Sequence, residues 1–225
     1  MKKTLTFFFL TVMMLFSVSF SFGLSSGAEE GVIPFRKLAH LMTVTVKIND
    51  SPKQFNFVVD TGGATFVSKQ VADDLGLKQV GPQAKINTLR MEGFQIENIF
   101  CFTSFDFSMF NPLSVPIHGI IGSTLLERYR VMFDYKADTM TLSAGVGAQE
   151  RPEDAIVLKF TNHPVNNAPI VEFKINGKTM EGMIDTGQPH AVVLPIDTFE
   201  KYSDTDVCYC FSGLCREFLF PKCQA

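Results

Sequence analysis

The sequence predicts a mostly β protein built from two tandem copies of one lobe, the second incomplete, with short helices only. Three observations carry that expectation. Sixteen Gly and eleven Pro are spread through 225 residues with few long helical periods, a composition that favours strands and turns. Two segments, Thr43-Val44-Thr45-Val46-Lys47-Ile48 and Ile170-Val171-Glu172-Phe173-Lys174-Ile175, alternate apolar and polar residues in the period of a half-buried strand. Each then turns back into a stretch ending on the same tripeptide: Phe57-Val58-Val59-Asp60-Thr61-Gly62-Gly63 and Met183-Ile184-Asp185-Thr186-Gly187. One Asp-Thr-Gly arises by chance in roughly one chain in twenty of this length. Two, each behind a matching hairpin, mark a duplication.

Taken in order, Met1-Lys2-Lys3 opens a positive segment and Leu5 to Phe22 is almost wholly apolar or hydroxylic, followed by Ser26-Gly27-Ala28 and the acidic pair Glu29-Glu30. That order predicts a bacterial-type signal peptide over 1–28, cleaved after Ala28, and a periplasmic or secreted protein. An uncleaved membrane anchor is the competing reading, because the apolar run approaches spanning length. Gly31 to Leu41 reads as a lead-in. Val44, Val46 and Ile48 face a core, Asn49-Asp50-Ser51-Pro52 turns the chain, and 55–59 returns as a strand into Asp60. Ser68 is placed to cap a short helix containing Val71, Ala72 and Leu75, ended by Gly76. Residues 86–91 and 94–100 form a hairpin about Glu92-Gly93. Ile120-Ile121-Gly122 belongs to a small apolar, glycine-bearing stretch, 123–128 makes one helical turn, and 129–135 is a strand with Val131, Phe133 and Tyr135 on one face. The polar, glycine-bearing segment 143–154 is the expected lobe boundary.

The second lobe repeats the opening of the first. Lys-Ile-Asn recurs at 174–176 as at 47–49, and Asn176-Gly177 is a tight-turn signal. Val192, Val193 and Leu194 parallel Phe66 and Val67, and Pro195 suits the start of a short helix. Beyond Tyr202 the parallel fails. Of five cysteines Cys101 stands alone, while Cys208, Cys210, Cys215 and Cys223 crowd the tail, which is expected to be disordered or partly disulfide-bonded. Their spacing matches no familiar zinc pattern. The four histidines share no helical spacing and read as surface or turn residues. A net charge of −3 gives no basic field for nucleic acid.

The motifs Val59-Asp60-Thr61-Gly62, Gly119-Ile120-Ile121-Gly122 with Leu125-Leu126-Glu127-Arg128, and Phe133-Asp134-Tyr135 resemble the retropepsin-like aspartic proteases, specifically bacterial, exported members with two such domains in tandem. The resemblance covers 38–145 as a first lobe and 156 to about 202 in the second, within a partial lobe 156–225 ending in a divergent Cys-rich tail. It implies pepsin-like closed β lobes facing each other across a cleft. Asp60 and Asp185 would be the catalytic pair of an aspartic endopeptidase. Thr61 and Thr186 would lock the two loops through hydroxyl-to-backbone bonds, with Gly62 and Gly187 allowing tight backbone around each carboxylate. Ile120, Ile121 and Gly122 would pack behind the first loop, and the 84–100 hairpin would be a flap over the cleft. Such a pair activates water and calls for no cofactor and no metal; the expected partner is a peptide or protein substrate. The membrane would be met only through the signal or anchor segment.

The sequence departs from that pattern in three places. Gly63 and Gln188 follow the two tripeptides where Ala, Ser or Thr is usual, and the chain ends too soon after Asp185 to supply a counterpart of Gly122 at the same distance. The stretch from Cys208 to Cys215 fits nothing in the family. Two alternatives therefore stand beside the leading one: a homodimer in which each chain contributes Asp60, and an inactive or peptide-binding protein. Asp60 and Asp185 can also be read as plain Asp-Gly turns, the Phe residues of 100–110 as core or cleft lining, and Asp134 as an ion-pair partner of Arg128 or Arg130.

Overall fold

The computed structural model describes residues 30–144, 155–175 and 177–190. Their strands are β1 (Glu30–Pro34), β2 (Arg36–Leu38), β3 (Leu41–Ile48), β4 (Phe55–Asp60), β5 (Phe66–Val67), β6 (Lys78–Val80), β7 (Gln83–Met91), β8 (Phe94–Phe102), β9 (Gly119–Gly122), β10 (Arg130–Asp134), β11 (Thr139–Ser143), β12 (Phe160–Asn162), β13 (Pro169–Ile175) and β14 (Lys178–Met183). Two short helices, α1 (Lys69–Asp74) and α2 (Ser123–Leu126), and a 3₁₀ turn at Phe107–Phe110 complete the described elements. The fold is mostly β. None of these helices is long and apolar enough to cross a membrane.

Eight strands share one sheet in the order β2-β3-β4-β9-β5-β8-β7-β6, and a further pairing of β3 with β7 closes it on itself. Alternation explains what fills it. Val44, Val46 and Ile48 of β3, Phe57 and Val59 of β4, and Ile86, Leu89 and Met91 of β7 all enter one buried core. Asn49 turns the chain at φ 51° and accepts the amides of Asn87 and Thr88, which ties that turn to β7. Glu92 and Gly93 both take positive φ, the turn that suits a two-residue hairpin. Ser68 caps α1 by accepting the Val71 N–H, and Gly76 ends it at φ +57°. A second sheet, β1-β11-β10, closes the core from below, with Met140 and Leu142 buried in it.

The second lobe is different. Its described strands form one antiparallel sheet, β12-β13-β14. Of residues 155–190, Ala168 is the one that is buried, among those whose burial is described. The helix expected at Pro195, the apolar 192–194 that parallels Phe66 and Val67, the Cys-rich tail, Asn176, most of the 143–154 boundary and residues 1–28 lie outside the described residues.

Several expectations are corrected. The 31–41 lead-in holds all but the first residue of β1 and the whole of β2, which pair with β11 and β3. Tyr135 lies just past β10 and is exposed, since Asp134 already turns the chain there: its Oδ1 accepts the N–H groups of Lys136 and Ala137, both at 2.9 Å. That cap, rather than an ion pair with Arg128 or Arg130, is what Asp134 does. The 84–100 hairpin forms, but not as a flap. Its turn is anchored by buried Met91 and Phe94, Phe94 packs edge-on to Tyr129, and β7 joins β3 at Lys47 and Ile48, the end remote from Asp60. Apolar residues at a hairpin tip sink it into the core.

Candidate active site

β4 delivers Asp60 to the surface on the face opposite Phe57 and Val59, and the chain then folds back round the carboxylate. Asp60 Oδ1 accepts the N–H groups of Gly62 (2.8 Å) and Gly63 (3.1 Å). β14 delivers the second loop, where Asp185 Oδ1 accepts the Gly187 N–H at 2.8 Å. The two carboxyl groups are brought together. A β-carbon on Gly62 would run into the Asp185 carboxyl group, and one on Gly187 would lie 2.7 Å from Asp60 Cγ. Glycine is needed at both positions for this close approach rather than for unusual φ.

The two loops are joined by a reciprocal set of bonds. The Thr61 N–H donates to Thr186 Oγ1 (3.1 Å) and the Thr186 N–H donates to Thr61 Oγ1 (3.0 Å). Each hydroxyl then donates onward across the pair, Thr61 to the Ile184 carbonyl (2.6 Å) and Thr186 to the Val59 carbonyl (3.0 Å). Both hydroxyls thus donate once and accept once.

Behind the first loop, β9 runs parallel to β4 with Val59 opposite Ile121 and Asp60 opposite Gly122. Ile121 joins the core and Ile120 is buried on the other face. Gly122 lies against the Ala64 and Gly63 backbone, where any β-carbon would collide. Ser123 donates its N–H and its hydroxyl to the Gly63 carbonyl, each at 2.8 Å. Thr65 and Thr124 join hydroxyls at 3.0 Å, and Thr65 Oγ1 accepts the Gly122 N–H.

Proximity and burial both act on the Asp60 carboxyl group. Asp60 is raised to about 6, first by burial, then by the charge of Asp185 and the hydrogen bond between the two side chains; the Gly62 and Gly63 amides pull the other way. A carboxyl pair of this kind keeps one proton between its members into the mildly acidic range, leaving one oxygen to accept a proton and another to donate one. Among the described residues no cluster of His, Cys, Asp and Glu is arranged to hold a metal. His118 and His163 each accept a backbone N–H through Nδ1. Cys101 is buried and unbridged, its thiol pushed up to about 12 by burial.

Asn166 is a part of the site that the sequence reading missed. It lies in the turn between β12 and β13, donates its side-chain amide to the Gly62 carbonyl at 2.7 Å, and sets its backbone carbonyl beside the Ser123 hydroxyl, whose single proton it shares with the Gly63 carbonyl. Its neighbour Asn167, at φ 59°, donates to Glu127 at 2.7 Å. The available signal was the turn cluster His163-Pro164 followed by Asn166-Asn167, which marks a turn but not what it touches.

No family model matches the chain, and no curated protein does. Among solved structures it is similar to a retropepsin-like aspartic protease from Rickettsia conorii, at TM-score 0.37 and 22% identity over 51% of this chain and 90% of that one. It is also similar to an aspartic proteinase from Irpex lacteus, at TM-score 0.35 and 12% identity over 51% of this chain and 46% of that one. At TM-scores of this size the likenesses stand beside the geometry and add nothing to it.

Proposed function

We propose that this chain is an exported aspartic endopeptidase in which Asp60 and Asp185 act as one dyad on a peptide or protein substrate. The observation that supports this best is the reciprocal Thr61–Thr186 lock, which holds two Asp-Thr-Gly loops face to face with their carboxyl groups in contact range. The pair holds one proton because two adjacent carboxylates resist ionising together. The ionised oxygen takes a proton from water as that water's oxygen bonds to the scissile carbonyl carbon. The protonated partner hydrogen-bonds the carbonyl oxygen, and a proton passes to the leaving amine as the C–N bond breaks. No covalent enzyme intermediate and no cofactor enters this scheme.

Export is the part of the proposal that rests on sequence, on the Lys2-Lys3 start, the apolar run and Ser26-Gly27-Ala28. N-terminal sequencing of protein recovered outside the cytoplasm should begin at or beside Glu29; recovery of Met1 would favour the anchor.

A second reading, an inactive peptide-binding protein, is favoured by one observation: of residues 155–190 whose burial is described, Ala168 is the one that is buried. Peptide cleavage by Asp60→Asn and Asp185→Asn variants separates the readings. The single-chain dyad predicts a loss of about a thousandfold or more in each, since either change removes half of one unit. A homodimer built on Asp60 alone would leave Asp185→Asn near normal. A wild-type chain that binds peptides without cutting them would support the second reading, and a folded Asp60→Asn protein with full activity would end the proposal.

A further inference from the structure

The peptide unit between Gly62 and Gly63 is held at both ends, and by different lobes. A trans peptide is planar, so its N–H and C=O point in opposite directions. On one side the Gly63 N–H donates to Asp60 Oδ1 at 3.1 Å; on the other the Gly62 carbonyl accepts the side-chain amide of Asn166 at 2.7 Å. Turning this plane over would swing the N–H off the carboxylate. Glycine stands on both sides of the unit, so no β-carbon resists the rotation. The first lobe's own bonds act on its neighbours. The Gly62 N–H that also reaches Asp60 belongs to the preceding peptide unit, and the Gly63 carbonyl that Ser123 grips belongs to the next. Among the described residues, Asn166 is what holds the Gly62 carbonyl.

Asn166 is itself fixed in direction. Its Oδ1 accepts the Ala168 N–H at 3.3 Å, which leaves Nδ2 facing Gly62. Two backbone bonds close its turn, from the His163 N–H to the Ala168 carbonyl (2.8 Å) and from the Asn167 N–H to the His163 carbonyl (2.9 Å). Ala168 is buried, and Asn167 ties the turn to Glu127, the C-terminal cap of α2, at 2.7 Å. The second loop differs. Its Gln188 N–H, the counterpart of the Gly63 N–H, turns to the Asp185 backbone carbonyl at 3.4 Å.

We propose that Asn166 is a positioning residue of the dyad: from the second lobe it holds the Gly62–Gly63 peptide unit in the orientation that keeps the Gly63 N–H on Asp60. This rests on the peptidase reading and deepens it to a regulation of the same site, because the seating of the 163–168 turn decides how many amides stabilise the ionised Asp60.

The Gly63 N–H favours ionised Asp60, whereas burial and Asp185 oppose it. Among the described residues Asp185 is the charged group that acts on Asp60; Glu127, the carboxylate bonded to the 163–168 turn, is engaged by Asn167. Releasing the peptide unit therefore raises the Asp60 midpoint. Separating the lobes lowers it, since that removes Asp185 and uncovers the carboxyl group. A positioning role and a structural one move the titration in opposite directions.

The test follows the Asp60 carboxyl carbon and the Gly62 and Gly63 amide protons through a pH titration by NMR, in the full chain and in Asn166→Leu and Asn166→Ala. Leucine matches asparagine in size and lacks the donor. In the wild type both amide protons should shift with the Asp60 midpoint of about 6. In the variants the Gly63 amide should stop following it while the Gly62 amide continues, and the midpoint should rise by roughly half to one pH unit. Where substrate peptides are cut, the alkaline limb of the kcat/KM profile, set by loss of the shared proton, should move up with it. A wild-type Gly63 amide that ignores the titration would overturn the proposal before any variant is made. So would an unchanged midpoint in the variants, which means the peptide unit keeps its orientation unaided. A midpoint that falls, with both amides released, would reduce Asn166 to a link between lobes. These readouts need no turnover. A chain that cuts nothing defeats the peptidase reading and leaves this one to the titration; a chain that cuts, with an unmoved titration in Asn166→Ala, does the reverse.

Discussion

The same tripeptide is held twice in this molecule, and by different means. The Asp60 loop is supported from behind by its own lobe. β9 lies parallel to β4, Gly122 presses on Ala64, Ser123 grips the Gly63 carbonyl, and a closed core lies beneath. The Asp185 loop ends a three-stranded sheet that leaves Ile156, Phe160, Val165 and Ile184 exposed, at 89% for Ile156 and 84% for Val165. Among the described residues, its bonds beyond its own sheet run to the first lobe, through Thr186 to Thr61 and Val59 and through the Ile184 carbonyl to Thr61. Asn166, also of the second lobe, reaches Gly62. Among the described residues, the first loop is backed by strands of its own sheet and the second is bonded to the first. An apolar core lies beneath one carboxylate; among the described residues, the other is tied in by hydrogen bonds to the first loop.

That contrast can be broken from either side, and the effects should differ in size. The largest belongs to the backing of the first loop. Gly122→Ala forces a β-carbon into the Ala64 backbone, which cannot move without straining the Ser123 bonds to the adjoining Gly63 carbonyl, and should cost about 3 kcal/mol or more in denaturant unfolding. A cost under about 1 kcal/mol would mean the backing is looser than its geometry indicates. Next comes the lock. Thr186→Val keeps the side chain's shape but removes one hydroxyl that both donates and accepts, leaving the Thr61 N–H and Val59 carbonyl unpaired, at roughly 1–3 kcal/mol. Amide exchange should accelerate in the Asp185 loop more than in the Asp60 loop; equal acceleration would contradict the dependence of one on the other.

Smaller still is the effect of ionisation. Asp60 holds its proton to about 6 in the fold but releases it near 4 when unfolded. Between those values the unfolded chain binds fewer protons, so stability falls as pH rises, and the full penalty is present above about 6. Asp60→Asn removes it, and should stabilise the protein at pH 8 by roughly 1–2 kcal/mol while changing little at pH 4. Stabilisation at both pH values alike would point to packing instead. Smallest is Asn166→Ala, about 1 kcal/mol, seen as a lower midpoint for the second lobe's hairpin.

How much of this was legible in the sequence follows the same divide. Strict alternation at 43–48 and 170–175 identified β3 and β13, and the Ser68 cap and the Glu92-Gly93 turn were read from local chemistry. These signals are local, and sequence carries local signals well. The three-residue strands β2, β6 and β12 carry too few positions for a period and exist because a neighbour offers an edge. The hairpin at 84–100 was legible as a hairpin, but its place was not, because only the closed sheet shows that Met91 and Phe94 turn inward. Asp134 looked like a charge beside arginines and proved to be a turn cap, a choice made by backbone geometry. Asn166 touches Gly62 across more than a hundred residues, and nothing in its neighbours encodes that.

The claim on which the rest depends is that Asp60 and Asp185 of one chain share a proton. The most direct measurement is the titration of the Asp60 carboxyl carbon by NMR, in the wild type and in Asp185→Asn. The predicted result is a midpoint of about 6 in the wild type that falls towards the ordinary carboxylate range in the variant, part of the elevation remaining because burial is its first cause. An Asp60 midpoint that is the same with and without the Asp185 carboxylate would contradict it.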